Sequence, residues 1–157
     1  MCVGATMIVG AVLGAGCGSA APTACGRSVP AAVAHLVGAG SASGVVTSQS
    51  SGDVTCLFKA TSPRGGEPEA MSVRVESGPR ASVGFDTQIT HLTQFPVAGE
   101  LPQQVSGVGV RADWLPGVRK LLATTTNRFA TVAILAHGNG APSDRRAASD
   151  VAQAALR

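Results

Sequence analysis

No residue before Arg27 carries a charge. Val3 to Gly16 is a run of apolar and small residues, broken by Gly4, Gly10, Gly14 and Gly16, and it closes on Cys17. A helix that spans a bilayer needs about 20 consecutive apolar residues. This run is interrupted by glycine and short of bulky side chains, so it falls below that requirement. Its length matches the apolar core of a cleaved secretory signal, which takes no part in the fold. What remains is one domain of about 130–140 residues, enough for a single hydrophobic core.

The stretch Leu13-Gly14-Ala15-Gly16-Cys17-Gly18-Ser19 reads as the cleavage site of a bacterial lipoprotein. On that reading residues 1–16 are the signal and Cys17 is the lipidated first residue. Residues 17–24 form a Gly/Ser/Ala/Pro tether of little intrinsic order, and 25–157 is the folded domain. The expected location is the outer face of the cytoplasmic membrane, with the membrane itself as a partner through the lipid. Two features depart from the pattern. There is no Lys or Arg ahead of the apolar run, where a positive flank sets orientation. Gly14, not a leucine, stands three residues before the cysteine. Ordinary secretion, an uncleaved anchor and a cytoplasmic protein are the alternatives.

Cys2 lies in the discarded segment and Cys17 takes the lipid, which leaves Cys25 and Cys56 of the four cysteines. An even pair in an oxidising compartment is expected to form a disulfide, two unpaired thiols being the alternative. The bridge would close a loop of about thirty residues and contribute roughly 3–4 kcal/mol by loop entropy. The chain is 45% hydrophobic but only 3% aromatic, without tyrosine, so the core must be built from Val, Leu, Ala and Ile. Twenty glycines and nine prolines demand many turns and exclude a plain helix bundle. A net charge of +3 from scattered basic residues leaves no nucleic-acid footprint.

Along the domain, Ser28 is placed to cap a helix with Pro30 in its first turn and Val29, Val33, Leu36 and Val37 on one face; Gly38 and Gly40 end it. Residues 44–49 and 54–61 read as a hairpin about the turn Ser50-Ser51-Gly52-Asp53, with Val54, Cys56 and Phe58 alternating inward. Pro63 to Pro68 is an exposed loop. Met71, Val73 and Val75 alternate with Ser72, Arg74 and Glu76 as a half-buried strand. Pro79 opens a second helix carrying Phe85, Ile89 and Leu92 on one face, and it stops before Pro96. An irregular stretch leads to a strand over 110–115. Residues 121–126 and 129–135 form the strongest hairpin, and Ser143 caps a last helix with Ala147, Ala148, Val151 and Ala155 inward. The expected fold is α+β, with order αβββαβββα. It is a mostly antiparallel sheet of about five to six strands carrying three helices.

Cys25 and Cys56 flank a helix and hairpin, Gly107-Val108-Gly109 and Ala112-Asp113-Trp114 precede a long hairpin, and an Ala-rich helix closes the chain. In this arrangement, over about residues 25 to 156, the chain resembles small actinobacterial cell-envelope lipoproteins of unknown function. Several of those resemble the Mog1/PsbP-like α/β sandwich. Where members carry a second cysteine pair in the C-terminal half, this chain has none. The resemblance implies a fold and a location; it carries no catalytic residues.

No chemical constellation stands out. Gly107-Val108-Gly109-Val110-Arg111-Ala112 fits the dinucleotide pattern G-x-G-x-x-A, but Asp113-Trp114-Leu115-Pro116-Gly117 follows it and cannot continue as the helix that would receive a pyrophosphate. The glycines read instead as a tight approach to a strand. His35, His91 and His137 lack i, i+4 spacing and read as ordinary surface or half-buried histidines. No serine sits in a nucleophile elbow. Asp53, Glu67, Glu69 and Glu100 qualify for acid–base work only by type. Arg111, Arg119, Lys120 and Arg128 read as a solvated strand surface or the lining of one face. These features favour a non-catalytic binding domain without a cofactor, its partner an envelope protein or a small apolar ligand held between sheet and helix. An envelope enzyme acting on glycan or lipid is the alternative. The expected contact surface is the Gly107–Pro116 segment with the Gly138–Pro142 loop, using Trp114, Arg111 and Asn139, because functional contacts gather on loops held by a rigid sheet. Trp114 either fills the core or stands exposed at that surface.

Overall fold

The computed structural model describes residues 25–26, 28–96, 100–138 and 140–157. The proposed signal, Cys17, the tether and Asn139 lie outside the described residues.

The elements, in chain order, are α1 (Val29–Leu36), β1 (Ser43–Ser50), β2 (Asp53–Ala60), β3 (Glu69–Ser77), α2 (Ala81–Gln94), β4 (Gln103–Gln104), β5 (Arg111–Leu115), β6 (Lys120–Thr124), β7 (Arg128–Ala136) and α3 (Asp144–Leu156). The strands form one sheet of order β1-β2-β3-β7-β6-β5-β4, antiparallel throughout. The α+β class and the helix–strand order agree with the sequence expectation, but the sheet has seven strands. The additional strand is β4, where Gln103 and Gln104 pair with Trp114 and Asp113. Two polar residues have no periodicity to read, and only the presence of β5 makes them a strand.

Alternation along the strands sorts their side chains onto two faces. On one face Cys56 and Phe58 of β2, Met71, Val73 and Val75 of β3, and Ala130, Val132 and Ile134 of β7 meet Val29 and Val33 of α1 and the alanine face of α3. Small residues on α3 let its backbone lie close to the sheet, which compensates for the scarcity of aromatic side chains. On the opposite face α2 lays Ala81 and Phe85 over Leu115, Leu122 and Phe129. Phe85 and Phe129 meet edge to face with centroids 5.9 Å apart. The result is three layers, with α1 and α3 on one side of the sheet and α2 on the other.

The Cys25–Cys56 disulfide is present, with Cα atoms 6.4 Å apart and both residues fully buried. It ties the chain ahead of α1 to the second strand of the sheet. Two caps differ from expectation. Ser28 holds the N-cap position of α1, but its hydroxyl donates to the Ala154 carbonyl of α3 at 2.8 Å instead of capping the helix. Ser143 precedes α3 without a side-chain cap bond. In the first case packing between the two helices outcompetes the local bond.

Candidate functional site

Alternation along β5 decides the fate of the expected contact residues. Trp114 faces α1 and α3 and is only 6% exposed, packed in the main core, so the exposed recognition role is corrected to core filling. Arg111, three residues earlier, faces the other side. Its guanidinium donates to an Asp86 carboxylate oxygen at 2.5 Å and lies 4.9 Å from the Phe85 ring centroid, where it covers the second core. The two residues therefore cannot serve one surface, which corrects their expected joint role. Gly107 and Gly109 both have positive φ, and a Cβ on Gly109 would stand 2.5 Å from the Thr124 carbonyl oxygen. The segment is the tight approach to a strand that its glycines imply, with no helix following.

The remaining basic residues are dispersed. Arg119 donates to Asp144 at 2.5 Å. Arg128 reaches the Ala155 carbonyl at 3.5 Å. Of the four carboxylates noted by type, Asp53 is held by Arg74 at 2.6 Å. Among the described residues, no group of three or more His, Cys, Asp or Glu side chains is placed to hold a metal ion.

Of the concave features among the described residues, those of about 600 and 410 Å³ beside Gly78 and Pro79 carry no leucine or valine, whereas two others of comparable size do. The larger is an open cleft of about 650 Å³ between the end of α1, the β2–β3 loop and the β7–α3 loop, lined by Leu36, Val37, Gly38, Ser62, Pro63, Arg64, Gly65 and Gly140. Half of the expected contact surface, the Gly138–Pro142 loop, contributes to it. The loop is seated on Glu69, which is fully buried and accepts the Gly138 N–H at 2.6 Å. Its other oxygen, Oε1, has no hydrogen-bond partner among the described residues. Burial raises the Glu69 pKa, and the Gly138 N–H offsets part of that rise. Gly138 is required there, since a Cβ would stand 2.6 Å from the Glu69 nitrogen. Beside it, Asp144 at the start of α3 binds both Arg119 and His137 Nδ1, the latter at 2.9 Å. The Arg119 bond holds the Asp144 carboxyl below its ordinary pKa.

The second feature is a groove of about 370 Å³ between α2 and the sheet, lined by Thr87, Gln88, His91, Leu92, Leu115, Val118 and Lys120. Its four α2 residues fall at i, i+1, i+4 and i+5, which places them along one side of the helix. Leu115 ends β5, Val118 ends the 3-10 turn Pro116–Val118, and Lys120 opens β6. The turn is closed by Arg119, the only non-glycine with positive φ (49°) among the described residues. Its N–H bonds the Pro116 carbonyl, and its own carbonyl accepts the Ile134 N–H at 2.9 Å. That reversal brings Val118 and Lys120 to the same side of the sheet as α2.

Ligand sites are mostly apolar concavities carrying a few placed polar groups, and they are held most accurately on helices and strands. The α2 groove meets both conditions. The larger cleft is framed by loops and glycines and offers Arg64 as its one charged lining residue. No protein-family model, curated protein or solved structure matches this chain. The groove is therefore interpreted from its own chemistry. The sequence places Leu92 on the apolar face of the second helix and Lys120 among the basic residues of the last sheet segment. The only available signal for their meeting was the Pro116-Gly117 break, which shows that the chain turns but not which helix it turns toward.

Proposed function

We propose that this chain is a cell-envelope lipoprotein of the kind its sequence resembles. It is held by a lipid on Cys17 at the outer face of the cytoplasmic membrane, and it works by binding a small apolar ligand between α2 and the sheet. The observation that carries the binding reading is the groove itself: Leu92, Leu115 and Val118 form an apolar lining on rigid elements, bounded by polar side chains. The buried Cys25–Cys56 bridge supports the address, since disulfides persist in oxidising compartments. No helix among the described residues is long and apolar enough to cross a membrane.

An envelope enzyme is the second reading, and one observation favours it. Asp144 accepts from or pairs with His137 at Nδ1, the arrangement that orients a general-base imidazole. The binding reading is preferred because the polar residues around that pair are committed to holding the β7–α3 loop.

Two measurements test the proposal. Titration with the neutral fluorophore N-phenyl-1-naphthylamine should give saturable one-site binding that Val118→Asp abolishes without loss of urea stability. Equal binding by the variant overturns the groove assignment. Separately, Cys17→Ala should move the protein from the membrane fraction to the soluble extract, and retention in the membrane overturns the lipid address.

A further inference from the structure

We infer that the occupant of the α2 groove is a single-chain anionic amphiphile, a carboxylate on an acyl chain, with its head at Lys120 and its tail along Leu92, Leu115 and Val118. This inference rests on the reading of the groove as a binding site and adds the chemical class of the ligand. The argument begins with charge. The groove lining holds two basic residues, Lys120 and His91, and no acidic one. Arg111, Arg119 and Arg74 each have a carboxylate partner, whereas Lys120 has no ion-pair partner among the described residues. Lys120 is half-buried and lines the groove, where its ammonium can pair with an anionic head.

The lining is also polar in the directional sense. Leu92, Leu115 and Val118 are shared with a small adjoining recess whose further residues are Glu100 and Gly117. Lys120 and His91 line the groove alone and Glu100 the recess alone, with the three apolar side chains common to both. A ligand with one anionic head is directed to the two basic residues, and its tail is left to the apolar ones. The groove's volume of about 370 Å³ gives room for roughly a dozen methylene-sized groups, which accommodates a single acyl chain.

The turn supports the same assignment. Arg119 is held in the left-handed conformation by its side-chain bond to Asp144 and by two backbone bonds. Departures of this kind persist where the surroundings over-determine them, and they concentrate at ligand sites. Here the consequence is the juxtaposition of Val118 with Lys120.

The test uses the full-length chain carrying Cys17→Ala, so that no attached acyl chain competes. Saturated carboxylates of increasing length and the matched primary alcohols, all below their aggregation limits, are titrated by displacement of N-phenyl-1-naphthylamine. Affinity should rise about fourfold per methylene until the groove is filled and then level off. The carboxylate should bind about tenfold more tightly than its alcohol at low salt, a preference intermediate between an exposed ion pair and a buried charged hydrogen bond. Lys120→Gln should erase that preference while leaving urea stability unchanged. If carboxylate and alcohol bind equally to the parent protein, or Lys120→Gln keeps the preference, the anionic assignment is overturned and the apolar groove stands. If neither series binds, the groove reading falls with it.

Discussion

Removing the Cys25–Cys56 bridge by the double substitution Cys25→Ala, Cys56→Ala should cost the domain about 4–5 kcal/mol. The bridge spans a sequence separation of 31. In the chain-entropy model a loop of that size restricts the unfolded chain by about 3.7 kcal/mol at about 25 °C. Both sulfurs are fully buried against the main core, so truncation adds about 1 kcal/mol for lost packing. Alanine is the appropriate replacement because a buried serine hydroxyl would add an unmet hydrogen-bonding group. The assay is urea unfolding followed by far-ultraviolet circular dichroism. With a slope of about 2 kcal/mol/M, the midpoint should fall by about 2 M. The slope itself should rise, because an unfolded chain without the cross-link exposes more surface. A midpoint that moves by less than about 0.5 M at constant slope would show that the bridge does not act by restricting the unfolded chain.

Two further predictions concern the two faces of the sheet. Burial raises the pKa of Glu69 in the folded state, so its contribution to stability is complete below the unfolded pKa and is lost as pH rises through the folded value; Glu69→Gln, which keeps an oxygen for the Gly138 N–H, should remove that decline in urea midpoints as pH rises above the ordinary carboxylate range, and an unchanged decline refutes the assignment. On the other face, Phe85→Ala should cost about 3–5 kcal/mol in the same unfolding assay, because Phe85 is fully buried against Phe129 and covered by Arg111; a loss under about 1 kcal/mol would mean that α2 contributes little to the fold.

The division between local and distant information is visible residue by residue. The alternation of Val54, Cys56 and Phe58, and of Met71, Val73 and Val75, was sufficient to recognise two strands and their buried faces. The alanine spacing of α3 was equally legible, as was the turn at Gly52, where φ is +82°. These features depend on neighbours within a few residues, and the chain states them directly. The disulfide was legible for a different reason: once Cys2 and Cys17 are assigned to the N-terminal segment, Cys25 and Cys56 have only each other.

Other features follow from contacts that no local pattern specifies. β3 pairs with β7, not with the next strand in sequence, and α2 with three strands lies between them. The periodicity of either strand would have suited another antiparallel neighbour equally well. Trp114 was ambiguous because its five-residue strand is flanked by Gly and Pro; the pairing of β5 with β6 settles which face it takes. Glu69 looks like a loop carboxylate until the β7–α3 loop closes over it. Ser28 looks like a cap until α3 supplies a better acceptor. The α2 groove belongs to this second group. Leu92, Val118 and Lys120 sit on an interior helix face, a turn and a strand end, and none of those settings marks a ligand. The sequence by itself determined which segments are strands and helices and which of their sides are apolar, because that information repeats every two residues or every turn. The tertiary structure alone decided which apolar side is left partly uncovered and which charge borders it, because both depend on the order in which strands join the sheet.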